Sequence, residues 1–235
     1  MLSGAIIAAG RGERLRAATA GLPKPLVELD GKALLIRQID LMQQFGCDCV
    51  YVIVNTETAA LLVQRAITLP TGVELLVADT PSSMESLLTV GARIPPGRFL
   101  LATVDAVVTV GEFTRFGDRA LQLMGSKQVS PFDGALAVVK WRGDARPLFV
   151  EVAADGSISR FRDESGDLVT AGLYLLPTRI FEHIDEARAL GLDALRRFLG
   201  FLLGKGLRFG TVELAGVVDV DEGSDLEQAR TLLSS

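Results

Sequence analysis

Histidine and cysteine are scarce in this chain of 235 residues, which holds one histidine, His183, and two cysteines, Cys47 and Cys49. A zinc centre built from Cys and His is therefore nearly excluded. The two thiols stand two residues apart, where an extended segment turns both the same way and leaves little geometry for a bridge. Such sparing cysteine use fits a reducing cytoplasm. Runs of one charge are also missing: 24 basic against 29 acidic residues give a net charge of −5. That excludes a nucleic-acid or anionic-membrane footprint and makes any phosphate site local. No apolar stretch reaches the ~18 residues of a membrane helix. Leu2 to Gly10 imitates a signal core, but no basic residue precedes it and Arg11, Glu13, Arg14 and Arg16 follow, so secretion is not expected and a cytoplasmic location is.

What remains is globular: 49% of the residues are hydrophobic and 23% charged. Folding at this length removes ~70–75% of the unfolded surface from water, enough for one full core. The first half alternates short apolar runs with helix-period segments, the pattern of βαβ units around a mostly parallel sheet. Strands are expected at Leu2 to Ala8, Val50 to Val54, Val73 to Val77 and Phe99 to Val104. Between them, Leu35, Ile39, Met42 and Phe45 fall on one helical face ended by Gly46, Thr56 to Ile67 suits a second helix, and Ser82 with Glu85 reads as a capping box. A ligand crevice belongs at the carboxyl ends of such strands.

The second half offers four strand candidates, Ala135 to Lys140, Leu148 to Val152, Ser157 to Phe161 and Val169 to Leu176, with little helix between them. Antiparallel pairing is expected, with Asp155-Gly156 as a hairpin turn. Helices at Thr178 to Ala189 and Leu192 to Leu203 follow, then strands near Leu207 to Leu214 and Val217 to Val220. A closing helix runs to Leu233, with Ser224 and Glu227 as its capping box. Ser126 to Asp133 reads as an exposed loop. One α/β unit with an antiparallel extension is the simplest account.

The segment richest in chemistry is Ala8-Ala9-Gly10-Arg11-Gly12-Glu13-Arg14-Leu15, followed by Pro23-Lys24-Pro25-Leu26. Gly10 and Gly12 let the chain pass close to a triphosphate with N–H groups turned toward its oxygens, and Arg14 and Lys24 can sit on the same anion. No Gly-Lys-Ser/Thr follows, so this is not a P-loop, and the third glycine of a dinucleotide fingerprint is absent. Alone, Gly-x-Gly after a strand is equally an ordinary turn.

The string from Ala5 to Leu26 resembles the N-terminal signature of the nucleotidyltransferase superfamily that includes sugar-1-phosphate nucleotidylyltransferases, phosphocholine cytidylyltransferases and MobA-like transferases: Ala-Ala-Gly-x-Gly-x-Arg-Leu, then Lys-Pro-Leu. The resemblance implies a single Rossmann-like, GT-A-like three-layer α/β domain over residues 1–235, with a nucleotide-binding half to residue 125 and an acceptor half with the C-terminal helix from 126. It places Ala8, Ala9, Gly10, Gly12 and Arg14 around an NTP, and Lys24 on the α-phosphate. Thr103-Val104-Asp105 stands where such proteins carry a metal-binding aspartate, and Val217-Val218-Asp219-Val220-Asp221 resembles the segment carrying the second. Asp105 and Asp219 are thus the expected Mg²⁺ ligands, a pair of hard oxygen donors, with Asp221 as a helix-capping or dipole-compensating residue.

Ser83 and Ser86, after the third strand, are candidates for base or ribose contacts, although the cap explains that segment equally well. Thr170-Ala171-Gly172 resembles the Asn-Ala-Gly strand of the acceptor pocket, with Thr170 in place of Asn. The Glu-Lys that such proteins carry upstream is replaced by Arg160-Phe161-Arg162-Asp163-Glu164. That departure puts a simple sugar 1-phosphate in doubt. Arg162, or Arg160, can replace the lysine as a phosphate clamp; both can equally pair with Asp163, Glu164 or Glu151 on an exposed hairpin. Trp141 and Arg146 shape the pocket or pack a strand edge, and His183 sits among Ile180, Phe181 and Ile184 in a structural role. The expected activity is Mg²⁺-dependent transfer of NMP from an NTP to a phosphorylated small molecule, without nucleic acid or membrane. A glycosyltransferase of similar fold and a non-catalytic nucleotide-binding homologue are the alternatives.

Overall fold

The computed structural model describes residues 2–125, 130–143, 147–162 and 164–234. Along the first half run β1 (Ser3–Ala8), α1 (Glu13–Ala18), a 3₁₀ turn (Lys24–Leu26), β2 (Glu28–Leu29), β3 (Lys32–Ala33), α2 (Leu34–Gln44), β4 (Cys49–Val54), α3 (Thr56–Gln64), β5 (Val73–Val77), α4 (Ser83–Gly91), β6 (Arg98–Thr103), β7 (Ala106–Val107) and α5 (Val110–Met124). The second half adds β8 (Gly134–Lys140), β9 (Phe149–Val152), β10 (Ile158–Arg162), β11 (Leu168–Pro177), a 3₁₀ turn (Thr178–His183), α6 (Ile184–Ala189), α7 (Leu195–Gly204), β12 (Phe209–Glu213), β13 (Val218–Asp219) and α8 (Gly223–Ser234).

Side-chain caps start three of these helices. Asn55 Oδ1 accepts the Thr58 N–H at 2.8 Å, Ser82 Oγ the Glu85 N–H at 3.1 Å and Thr109 Oγ1 the Glu112 N–H at 3.2 Å. In β5-β4-β1-β6 all neighbours are parallel. β11 joins β6 antiparallel, β8 pairs antiparallel with β11, and β12 is parallel to β8. The β9–β10 hairpin turns at Asp155-Gly156, where Asp155 Oδ1 accepts the Ser157 N–H at 2.9 Å, and β9 pairs with the start of β11. Successive residues of a strand face opposite sides. Ile6 and Ala8 accordingly lie in one buried cluster with α2 and α5 residues, while Ala5 and Ile7 lie in another with α4 and α7 residues. This is the expected three-layer sandwich.

Two local expectations change. Residues 178–189 form a 3₁₀ turn and then a short α-helix, not one continuous helix. His183 marks the junction, its ring edge-on to Phe201 at 6.2 Å. Ser224 lies inside α8, and the start of that helix is held by the Asp225 carboxylate, which accepts the N–H groups of Asp221 at 2.9 Å and Glu222 at 2.7 Å. In the 126–133 segment, residues 126–129 lie outside the described residues; Asp133 is tied down, accepting the Arg208 N–H at 2.7 Å. Both cysteines are free thiols, and burial, reinforced by the Asp48 charge, pushes Cys47 up to about 12.

Candidate active site

The carboxyl ends of β1 and β6 open into a cavity of about 370 Å³ lined by residues 7–11, Lys24, residues 80–83, Ser86 and residues 103–105. Neighbouring parallel strands leave such a crevice where their connections diverge. Of the expected nucleotide residues, Ala8, Ala9, Gly10, Ser83 and Ser86 all line it. No atom lies within 4 Å of the place a Gly10 Cβ would take, so the loop is open there. Gly12 acts differently: its φ of +58° suits glycine, and a Cβ would stand 3.0 Å from Lys24 Cβ. The loop folds down on the lysine because residue 12 has no side chain.

Lys24 is 7% exposed. Its Nζ donates to Asp105 Oδ2 at 2.9 Å and to Asp221 Oδ1 at 2.5 Å. Burial by itself would lower the ammonium's pKa, but the Asp105 charge and the hydrogen bonds to Asp221 and Asp105 outweigh it and hold the group above its ordinary value. Asp221 shows the converse. Its burial raises the carboxyl, yet Lys24 and Arg14 together keep it below the usual carboxylate range. Arg14 Nη2 reaches Asp221 Oδ2 at 2.5 Å and Arg14 Nη1 reaches Glu222 Oε1 at 3.3 Å.

Arg14 therefore stands beside this cavity, outside its lining, and meets Lys24 through a shared carboxylate. The Asp221 side chain meets Lys24 and Arg14 rather than capping the helix, although its charge still lies just ahead of the start of α8. Asp225 reaches back instead to the N–H groups of Asp221 and Glu222, just ahead of α8. One oxygen each of Asp105, Asp219 and Asp221 lie within 4.8 Å of one another. The short antiparallel pairing of β13 with β7, Asp219 opposite Ala106, brings Asp219 beside Asp105 across more than a hundred residues of sequence. An all-oxygen carboxylate cluster suits a hard divalent cation such as Mg²⁺.

A second cavity, of about 360 Å³, lies against the first and shares Ser83, Thr103 and Asp105 with it. Gly172 forms part of its floor. Its φ is +69°, and a Cβ would come within 2.5 Å of Thr103 Oγ1 and 2.7 Å of Ala106 Cβ. The register of β11 against β8 shifts between Thr170 and Tyr174, the bulge that Gly172 permits. At the far wall is the start of α7, tied to α4 by the Leu195 N–H donating to Ser83 Oγ at 2.9 Å. Arg196 is the basic side chain among the described lining residues.

Ser83 thus faces both cavities, whereas Ser86 is buried and its hydroxyl is spent on Thr80 Oγ1 at 2.6 Å and the Ser82 carbonyl at 3.1 Å. Glu85 does not close the expected capping box with its side chain; it binds Arg188 of α6 at 2.7 Å. Arg162 lies on β10, its Nη1 3.4 Å from Glu151 Oε1, and lines neither cavity. Trp141 packs edge-on against Phe149 at 5.5 Å. Arg146 and Asp163 lie outside the described residues. Sequence reasoning did not single out Arg196, which lines the second cavity, or the pairing of Asp221 with Lys24 and Arg14. An Arg196-Arg197 pair on a helix carries no local signal, and the Asp-x-Asp spacing of 219 and 221 was the available hint.

The MobA-like NTP transferase domain model matches residues 4–202, so the chain belongs to that family and is built as a nucleotidyltransferase domain. Among its relatives are a probable mannose-1-phosphate guanylyltransferase of Arabidopsis thaliana, 41% identical over 58 residues, and a mannose-1-phosphate guanylyltransferase catalytic subunit beta of Drosophila pseudoobscura pseudoobscura, 25% identical over 185 residues. Those alignments cover 25% and 77% of this chain but only 16% and 49% of the relatives' lengths. The fold matches an inositol-1-phosphate CTP transferase from T. maritima at a TM-score of 0.79, with 17% identity over 99% of this chain and 94% of the other. It matches a CTP:phosphocholine cytidylyltransferase from Streptococcus pneumoniae at 0.73, with 20% identity over 98% of each.

Proposed function

We propose that this chain transfers a nucleoside monophosphate from an NTP to the phosphate oxygen of a small phosphomonoester, releasing pyrophosphate. The observation that carries this reading is the meeting of two cavities at Asp105, Ser83 and Thr103, with the Lys24 ammonium and the acidic cluster at the junction. A nucleotide with its base between the 80–83 segment and the glycine loop presents its α-phosphate there. An acceptor whose phosphate is held by Arg196 approaches from the other side.

The acceptor's phosphate oxygen attacks the α-phosphorus, the bond from that phosphorus to the bridging oxygen breaks, and pyrophosphate leaves with the electron pair. The attacking oxygen is already anionic, so no general base is needed, in keeping with a single histidine packed on Phe201. Catalysis then rests on positioning and charge stabilisation. Lys24 supplies a buried cation at the α-phosphate, Arg14 reinforces it through Asp221, and the loop of residues 8–12 supplies backbone donors. Asp105 and Asp219, with Asp221 beside them, would hold Mg²⁺, which neutralises developing charge on the phosphates when bound.

The test is a matrix of the four NTPs against sugar 1-phosphates, phosphocholine and molybdopterin-type acceptors, followed by pyrophosphate release. Release dependent on both substrates is the expected result. Release of a nucleoside diphosphate from a nucleotide sugar would instead identify a glycosyltransferase, and nucleotide binding without release of either product a non-catalytic homologue.

A further inference from the structure

Thr103 ends β6 and lines both cavities. Phe99 and Leu101 of the same strand pack with α4 and α7 residues, so alternation turns the Thr103 side chain to that side of the sheet, where the two cavities meet. Its hydroxyl makes no hydrogen bond among the described residues. The groups around it are engaged. Lys24 is tied to Asp105 and Asp221, Arg14 to Asp221 and Glu222, and Ser83 Oγ accepts the Leu195 N–H at the α7 wall. The strand beside β6 keeps the hydroxyl uncovered. Leu173 of β11 stands opposite Ala102, which sets Gly172 next to Thr103, and a Cβ on Gly172 would come within 2.5 Å of Thr103 Oγ1. A side chain at 172 would crowd this hydroxyl, and glycine leaves it open.

A nucleotide in the first cavity and an acceptor in the second touch at one group, the α-phosphoryl that passes between them. A hydroxyl gives an anionic oxygen a charge-assisted hydrogen bond. Being neutral, it is not drawn into an ion pair by Asp105, Asp219 or Asp221 as the ammonium and guanidinium beside it are. We propose that Thr103 binds the group in transfer: its Oγ1–H donates to a non-bridging oxygen of the α-phosphoryl and holds the phosphorus at the junction while the acceptor oxygen attacks. The hydroxyl keeps its proton, and the bond changes are those given above. The identity of the phosphoryl group rests on the transferase reading, whereas a hydroxyl contact with a bound nucleotide is tested without turnover.

Thr103→Val removes the hydroxyl at nearly constant shape, and Thr103→Ser keeps it. Thr103 is half-buried, and if the valine variant fails to fold, Thr103→Ala takes its place. The α,β-methylene analogues of the four NTPs retain both non-bridging oxygens on the α-phosphorus. Their binding to the whole chain with Mg²⁺ is measured calorimetrically, and pyrophosphate release is measured separately with the NTP and acceptor panel. For the analogue that the wild type binds tightest, Thr103→Val is expected to raise Kd about tenfold, ~1.4 kcal/mol, and Thr103→Ser to recover most of that loss. With the best substrate pair, Thr103→Val should lower kcat by ~10²-fold, the scale of one lost donor at a reacting centre, and leave the acceptor KM unchanged.

An unchanged analogue Kd in Thr103→Val overturns the proposal. So does a loss that serine fails to recover, which would assign the effect to packing of the methyl group, or a loss confined to the acceptor KM, which would assign the hydroxyl to the acceptor. Weakened binding restored by serine, in a protein that releases no pyrophosphate with any pair, upholds the contact and overturns the transferase reading. Release by the wild type that Thr103→Val leaves at full rate does the reverse, and failure of the wild type to bind any analogue overturns both.

Discussion

Lys24 draws together more of the site than any other side chain. It is buried, it bridges Asp105 and Asp221, and Gly12 exists without a side chain to let the loop reach it. Losing one preorganised charge donor at a reacting phosphate costs ~10²–10³ in turnover. Lys24→Ala is therefore expected to lower kcat ~10²-fold or more in the pyrophosphate assay, and Arg14→Ala to lower it through Asp221; near-normal kcat in both variants would remove the clamp. Asp221 makes a separate prediction about stability. Its folded pKa is depressed from 3.8, so its contribution is complete well above that value and is lost as pH falls through the lower, folded one. Lys24 is raised and stays charged throughout this range. The Tm advantage of the wild type over Asp221→Asn should thus be full at about pH 6 and shrink as pH falls below about 4. A difference that stays constant down to pH 2 would show that Asp221 is not held by the two cations.

Elements matter here chiefly as brackets for these side chains. The two-residue strand β7 follows Asp105 directly, and its Ala106 carbonyl accepts a hydrogen bond from Gln38 Nε2 of α2 at 2.5 Å. Gln38 is 2% exposed, and its Oε1 has no hydrogen-bond partner among the described residues. A buried carbonyl left without its donor costs ~1–3 kcal/mol. Gln38→Leu leaves that carbonyl unpaired but also removes the unpaired Oε1, so stability should change by less than that amount, while the loosening of β7 and its pairing with β13 should raise the Mg²⁺ concentration needed for half-maximal activity. Denaturant unfolding with a metal titration checks both, and unchanged values in the two measurements would make the contact incidental. The pairs Ser83–Leu195 and Glu85–Arg188 do comparable work between α4 and the α6–α7 segment, setting the far wall of the second cavity.

At the scale of the whole molecule, the site joins the two halves of the chain. The first contributes the glycine loop, Lys24 and Asp105; the second contributes Gly172, Arg196, Asp219 and Asp221. A ligand bound at that junction stabilises only the folded state. NTP with Mg²⁺ at a hundredfold excess over Kd should add ~2.7 kcal/mol to unfolding, and chelation by EDTA should remove most of that gain together with the activity, both returning with Mg²⁺. Undiminished nucleotide stabilisation in EDTA would exclude the acidic cluster as the cation's seat.

The glycine loop and the parallel strands around it were readable along the chain because their parts are contiguous. A buried strand, two glycines, Arg14 and the Lys-Pro pair lie within residues 3–26, and parallel strands declare themselves as near-continuous apolar runs. The Asp155-Gly156 turn and the Ser82 cap were equally local and stand as expected. Tertiary structure alone decided the rest. Asp219 and Asp221 are two residues apart, so an extended chain turns both to the same side, and no pattern distinguishes a cap from a partner for Lys24. What settles it is that the Asp221 carboxylate itself meets Lys24 and Arg14, while Asp225 accepts the Asp221 and Glu222 N–H groups just ahead of α8. Arg162 and Arg196 are alike as letters. One lies on a hairpin beside Glu151 and the other on a helix start that α4 holds against a cavity floor made passable by Gly172. Propensity and spacing act over a few residues, whereas side-chain direction across a hundred or more is fixed by how sheet and helices pack, and that is where the second cavity of this protein was determined.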